Sequence, residues 1–341
     1  MLTKPILVYR GDIVESTHDI HVAVVSVSGD LLAFYGNPER QTFARSAMKP
    51  FQAIPAIESG AVEHFNISDE ELAIFCASHS GEPIHRVTVA NVLQKIGLEE
   101  KDLQCGTHIP RDLESYHELI RQGKVLSPLY SNCSGKHAGM LAGCVMQKFA
   151  LENYRDLDHP YQQQILEVIA DVSDYPKEKI QVSVDGCGVP VHALPLYNLA
   201  LAYGRLARPD RWETGKPMRK NALKRIRHAM TSHPEMVAGT KRFDTDLMKN
   251  FAGKIVAKGG AEGVHCFGDT ERGIGVAIKV EDGNARATSV ASMEVIRQLK
   301  IDVPGIWDHL HEYHEAPVFN ARKEKVGKIV ANFSLNFRKI I

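Results

Sequence analysis

Hydrophobic and polar positions alternate at both ends of the chain and recur with a helical period between them. At the N-terminal end, residues 5–9, 21–28 and 31–35 read as strands, the last two joined across the hairpin signal Ser28-Gly29-Asp30. At the C-terminal end, 263–267 and 274–281 read as strands, and Glu281-Asp282-Gly283-Asn284 as a turn into a further strand at 285–287.

The middle is mostly helical. Ser68-Asp69-Glu70-Glu71 is a capping box ahead of Leu72, Ile74 and Phe75. Pro83 opens a helix closed by Gly97. Ser134 is a candidate cap for a helix over 134–150, whose Gly135, Gly139 and Gly143 share one face where another backbone can approach. Further helices are expected over 161–173, 195–207 and 221–230, with a short strand at 180–184 and a surface loop at 208–219.

Strands at both ends and helices between them predict an α+β fold in which the terminal strands share one antiparallel or mixed sheet. The expected organisation is a single catalytic unit, with a sheet subdomain at roughly 1–45 plus 255–341 and a helical insert at roughly 46–254.

The 341 residues suffice for a large core without disulfides. Lys+Arg and Asp+Glu are both 41, so no charge excess points to nucleic acid or an anionic membrane, and a small ligand is expected. The N-terminal apolar run is too short for a signal peptide, and no window approaches the ~20 apolar residues of a membrane span. A cytoplasmic protein with reduced cysteines is the expectation.

Candidate chemistry falls in a few segments. In Arg45-Ser46-Ala47-Met48-Lys49-Pro50, Ser46 and Lys49 stand one turn apart at a helix start, where a desolvated lysine can take the serine proton; the bland reading is a helix cap beside an exposed lysine. Ala77-Ser78-His79-Ser80-Gly81-Glu82 offers small hydroxyls to a pocket, or simply turn chemistry. The run from Tyr130 to Gly139 gathers Asn132, Cys133, Lys136 and His137 at a helix start suited to a carboxylate, and the Cys133–His137 spacing also suits a metal. Val184-Asp185-Gly186-Cys187-Gly188 places Asp185 for a substrate amine and Cys187 for a soft metal shared with Cys133. Lys258, in a glycine-rich stretch read as a loop before a strand, occupies the place of the lysine that enters serine β-lactamase sites.

Together with Arg10-Gly11, Val14-Glu15-Ser16, His18, Cys105-Gly106, Arg242-Phe243-Asp244-Thr245 and Gly260-Ala261-Glu262-Gly263, these segments resemble the serine-lysine L-asparaginases of the Rhizobium etli inducible type, often called asparaginase II. The resemblance covers nearly the whole chain. It implies a fold similar to glutaminases and serine β-lactamases, and a homodimer. It implies catalytic pairs Ser46–Lys49 and Ser78–Lys258, with Lys254 the alternative to Lys258. It also implies a zinc ion, supporting rather than catalytic, held by Cys133, Lys136 and Cys187; residue chemistry alone favours His137 as the third ligand. Arg45, Asn132, His137 and Asp185 then form the substrate-binding set. The implied reaction is hydrolysis of the L-asparagine side-chain amide through a seryl acyl-enzyme. Competing expectations are a glutaminase of the same fold, a zinc-dependent amidohydrolase using Cys133, His137 and Cys187, and a sensor that binds or acylates without turnover.

Overall fold

Strands from the two ends of the chain interleave, as their patterning predicts. In the computed structural model, which describes residues 4–338, the six-stranded sheet runs in the order Asn336–Phe337, Leu31–Tyr35, Ile20–Ser26, Ile274–Val280, Val264–Asp269 and Ile255–Gly260. Its pairings are antiparallel, with Val24 opposite Val276 and Lys258 opposite Cys266. The terminal strands make two sheets rather than one. The second, also antiparallel, orders Ala316–Phe319, Lys325–Ala331, Ile6–Arg10 and Ile13–His18.

The chain divides into two compact units. The first contains the segments up to Ala47, Leu194–Arg211 and the chain from Asp246 onward. Here the buried helix Leu196–Ala207 lies on the six-stranded sheet. The approach is close enough that a Cβ on Gly268 would fall 2.6 Å from the Tyr203 carbonyl oxygen, and one on Gly275 would overlap the Ala200 carbonyl oxygen. Helix Thr288–Gln298 packs against strands of both sheets.

The second unit is Met48–Ala193 with Trp212–Thr245 and is mainly helical. Ser68 and Glu71 form the predicted reciprocal cap of helix Asp69–Phe75. Helix Pro83–Lys95 ends just before Gly97, which sits at φ +73°. The glycine face of helix Ser134–Gln147 meets the Ile74 carbonyl at Gly135, the Phe75 ring at Gly139 and the Tyr161 ring at Gly143. Only the first of these is the backbone approach expected. Strands Gln181–Val184 and Pro190–Pro195 form a hairpin with Val184 opposite Pro190.

Local expectations fail where a side chain or backbone turn intervenes. Ala285–Ala287 is a 3-10 turn, because the Asn284 side chain accepts the Arg286 N–H and caps it. Cys133, not Ser134, is the N-cap of its helix, and Lys148 in the left-handed region closes that helix before 150. The 208–219 loop is shortened by the 3-10 turn Pro209–Arg211 and by Pro217, which starts helix Pro217–Ser232. Among the described residues no helix is long and apolar enough to cross a membrane. Residues 1–3 of the N-terminal run weighed above lie outside the described residues.

Candidate active site

The first unit carries Arg45, Ser46 and Lys258. Ser46 lies in the 3-10 turn Arg45–Met48, entered through Arg45 at φ +49°, an uncommon conformation for a residue other than glycine. Tyr203 Oη donates to the Ala47 carbonyl at 2.6 Å. Gly260 passes so close that a Cβ there would fall 2.8 Å from the Ala44 carbonyl oxygen. The turn is thus seated on the end of strand Ile255–Gly260. Ser46 is half-buried, and its hydroxyl makes no hydrogen bond among the described residues. Arg45 Nη1 stands 3.8 Å from a Glu262 carboxylate oxygen.

Lys258 is not in a loop. It is buried within strand Ile255–Gly260, and its Nζ donates to the Gly259 carbonyl at 2.6 Å. Lys254 is partly exposed and paired with Glu271 at 3.1 Å. Between the two, Lys258 has the desolvated amine that the chemistry requires.

The second unit is organised around Lys49, the first residue of helix Lys49–Gln52, with Pro50 in the first turn. Its amine is fully buried, so the exposed-lysine reading fails. Nζ lies 2.6 Å from Ala77 O, 2.9 Å from Ser78 Oγ, 3.2 Å from Cys133 Sγ and 3.4 Å from Asn132 O. Burial lowers its pKa below the ordinary lysine value, and the Cys133 sulfur opposes that shift. Ser78 follows helix Asp69–Phe75, and its N–H donates to the Val237 carbonyl at 2.9 Å. That N–H is therefore engaged, and Ser78 contributes its hydroxyl instead.

Cys133 and Lys136 come from the start of helix Ser134–Gln147, Cys187 from the turn between the hairpin strands. Lys136 Nζ is 3.0 Å from Cys187 Sγ. The Cys187 thiol, followed by Lys49 and Lys136, holds Cys133 well below the usual thiol range, while the same hydrogen bond and burial push Cys187 up. Burial works against the Lys136 charge, but Cys187, Cys133 and Asp185 outweigh it and raise the amine's pKa.

His137 is fully buried, with Nδ1 at 2.6 Å from Tyr154 Oη. Burial lowers its pKa to about 4. Its Nε2 makes no hydrogen bond of acceptable geometry, though the Cys187 thiol lies close enough to act on the ring's charge. Asp185 is half-buried, with Oδ1 accepting the Gly186 N–H at 2.8 Å, and the Asn132 N–H donates to His108 Nε2 at 2.8 Å.

Two soft sulfurs and a lysine amine suit zinc only with the amine deprotonated, and without the ion the neighbouring sulfurs favour the Lys136 ammonium, so a bound zinc would have to displace that proton. Among the described residues no three His, Cys, Asp or Glu side chains gather as a metal site, so Cys133, His137 and Cys187 do not form the alternative triad. Sequence patterning gives no sign of His192, which is buried on strand Pro190–Pro195 with both ring nitrogens lacking hydrogen-bond partners. Burial, then the Lys136 charge, lowers its pKa to about 4.

Residues 6–331 match the family described as L-asparaginase II. The chain belongs to that family. It is a family of amidohydrolases, and L-asparagine is the substrate for which it is named. A comparison with curated proteins finds no match. Among solved structures, a β-lactamase from Mycobacterium bovis is 15% identical with TM-score 0.41, covering 86% of this chain and 95% of that one. A Bacillus glutaminase crystallised with 4.3 M NaCl is 13% identical with TM-score 0.38, covering 83% and 92%. A protein named Mglu, in its native form, is 14% identical with TM-score 0.38, covering 82% of this chain and 64% of that one, so the chain spans less than two thirds of Mglu's length. Family membership rests on the sequence match.

Proposed function

We propose that the chain is a serine-lysine L-asparaginase of the Rhizobium etli inducible type, with a fold akin to glutaminases and serine β-lactamases. It hydrolyses the side-chain amide of L-asparagine to L-aspartate and ammonia through a seryl acyl-enzyme. The observation that carries Lys49 as the base is its buried amine bonded to Ser78 Oγ, in a chain of this family; Ser46 as nucleophile rests on the Ser46-Ala47-Met48-Lys49 motif and the resemblance.

Desolvation disfavours the ammonium form of Lys49 and so favours the neutral amine that serves as a base. Ser46, three residues earlier, supplies the nucleophile. Its Oγ bonds to the amide carbon and its proton passes to Lys49. Backbone N–H groups hold the oxyanion, each contributing about 2.7–4 kcal/mol. The C–N bond breaks, the amine takes a proton, and ammonia leaves a β-aspartyl ester on Ser46. Water then cleaves the ester, releasing aspartate and restoring the serine. Ser78, sharing the Lys49 amine, and Lys258 move protons to the leaving amine and from the water. Asp185 holds the substrate ammonium; Arg45, Asn132 and His137 complete its contacts.

Cys133, Lys136 and Cys187 would hold zinc, supported by the Lys136–Cys187 contact and by the neighbours that lower the Cys133 pKa. Bound there, the ion would supply a fixed positive charge beside the substrate. A reducing, cytoplasmic setting would keep these sulfurs available, and none of the six cysteines is paired in a disulfide among the described residues. A homodimer is part of the same reading, supported by Ile13 and Val14, which are exposed on the edge strand Ile13–His18.

The test is mass spectrometry of protein quenched during turnover of a slow asparagine analogue. The expected adduct is an acyl group on Ser46. An adduct on Ser78, or ammonia release that survives Ser46→Ala, overturns the assignment.

A further inference from the structure

The segment from Ser78 to Glu82 is laced to residues 235–240 of the same unit. The Ser78 N–H donates to Val237 O at 2.9 Å, and Ser80 Oγ donates to Ala238 O at 2.8 Å. Glu82 closes the lacing with both carboxylate oxygens. Oε1 accepts the Thr240 N–H at 2.7 Å and Oε2 accepts the Thr240 hydroxyl at 2.8 Å. Behind it, His85 Nδ1 accepts the Glu82 N–H at 3.1 Å, which leaves the ring proton on Nε2, and Nε2 donates to Glu235 O at 2.9 Å.

Glu82 and Thr240 lie far apart in the chain, so this contact exists only in the folded unit. A carboxylate taking two neutral donors from one residue makes charge-assisted hydrogen bonds with directional control, and it fixes the residue rather than balancing a charge. Between the clamp and Val237 stands Gly239 at φ +111°, where a Cβ would fall 2.6 Å from Glu82 Oε1. The strip 237–240 therefore has little room to shift. Its Val237 carbonyl anchors the Ser78 main chain, and the Ser78 side chain reaches Lys49 Nζ at 2.9 Å.

We propose that Glu82 is a positioning residue for the amide hydrolysis. By clamping Thr240 it fixes Val237, and through Val237 it holds the Ser78 hydroxyl on the Lys49 amine. The inference rests on the reading that Ser78 takes part in proton transfer. Glu82 itself exchanges no proton and makes no covalent bond in the reaction.

The experiment measures ammonia release from L-asparagine by the full chain carrying Glu82→Ala, Glu82→Gln, Ser78→Ala and each Glu82 variant combined with Ser78→Ala, with Tm recorded for all. Misplacing a reacting group by about 1 Å costs up to ~100-fold, so Glu82→Ala lowers kcat by roughly 10–100-fold while KM moves by less than about threefold. Glu82→Gln keeps one acceptor oxygen for Thr240 and regains part of the loss. In the Ser78→Ala background the Glu82 variants lower kcat by no more than about twofold, because the group they position is gone. An equal loss in both backgrounds, or an unchanged kcat in folded Glu82→Ala, overturns the inference. Where Glu82→Ala does not fold, the Gln variant carries the same comparison. If Ser78→Ala alone leaves kcat intact, the role given to Ser78 fails first and takes this inference with it.

Discussion

Lys49 Nζ meets Ser78 Oγ at 2.9 Å, with Ala77 O at 2.6 Å and Cys133 Sγ at 3.2 Å as its other near partners. As a neutral amine it donates to the carbonyl and the sulfur and turns its lone pair to the Ser78 hydroxyl. As an ammonium it donates to all three. Both protonation states fit one side-chain position, so a proton can arrive and leave without rearrangement. Sequence spacing pairs Lys49 with Ser46, whereas the hydrogen bond observed is to Ser78.

Replacing Lys49 with Met keeps the bulk of the side chain and removes the amine. The expected loss in kcat is about 10²–10⁴-fold, the usual contribution of a positioned base. Leaving Ala77 O without its donor destabilises the fold by about 1–3 kcal/mol. Ammonia assays and Tm separate the two effects. Lys49→Arg is expected to stay inactive, because a guanidinium holds its proton. Activity regained with arginine would rule out the role of base.

Glu294 makes stability depend on acid pH. Its side chain is 8% exposed; burial disfavours its charge, but hydrogen bonds from Arg297, His314 and Gln298 prevail and hold its pKa at about 2. An unfolded glutamate titrates near 4.3. The folded value is the lower one, so the stabilisation is present above the unfolded pKa and is lost as pH falls from about 5 towards 2. With Arg297 half-exposed, roughly 1–2 kcal/mol is at stake after screening. Urea midpoints at pH 7 and pH 3 should fall further apart in the wild-type chain than in Glu294→Gln. Equal differences would contradict the linkage.

What could be read in advance was local. Residues 31–35 are a short apolar run behind the turn signal Ser28-Gly29-Asp30 and form the strand Leu31–Tyr35 as expected. The capping box at Ser68 needs only neighbouring residues and forms as its sequence dictates. Ile255–Gly260 escapes such reading, because Lys258 and two glycines break the alternation of a strand whose core positions are buried. Lys258 consequently looks like a loop lysine until its neighbours are in place. The site residues themselves stand in short strings of serine, lysine, cysteine and glycine, and those are legible. Their partners are not. Ser78 and Lys49 are 29 positions apart, and Glu82 and Thr240 are 158 apart. No period or motif encodes a contact over such separations; packing decides it.

Gly275 tests the seat of helix Leu196–Ala207. Its Cβ-free face meets the Ala200 carbonyl and the Gly204 nitrogen. Gly275→Ala must push the helix from the sheet, at an expected cost of about 3 kcal/mol. Differential scanning calorimetry should show a lower Tm, whereas Gly11→Ala, with nothing near its Cβ position, should show less than half that loss from backbone conformation alone. Equal effects at the two positions would mean that the helix seat accommodates the added methyl.

Metal removal tests the sulfur site apart from the serine. If zinc is held by Cys133, Lys136 and Cys187, then Cys133→Ser and Cys187→Ser should each lower the zinc content measured by elemental analysis, since a serine hydroxyl is a harder and weaker ligand than a thiolate. The proposed place for the ion is beside the substrate and away from the amide carbon. Its removal by a chelator should therefore raise KM more than it lowers kcat, the pattern of lost ground-state binding. A collapse of kcat at unchanged KM would instead return the zinc-dependent hydrolase to contention, although Cys133, His137 and Cys187 do not form a three-ligand site among the described residues. Zinc content that survives both cysteine substitutions would move the metal elsewhere. His137, with Nδ1 committed to Tyr154 and Nε2 unpaired, offers a control: His137→Gln should leave zinc content unchanged if Lys136 is the third ligand.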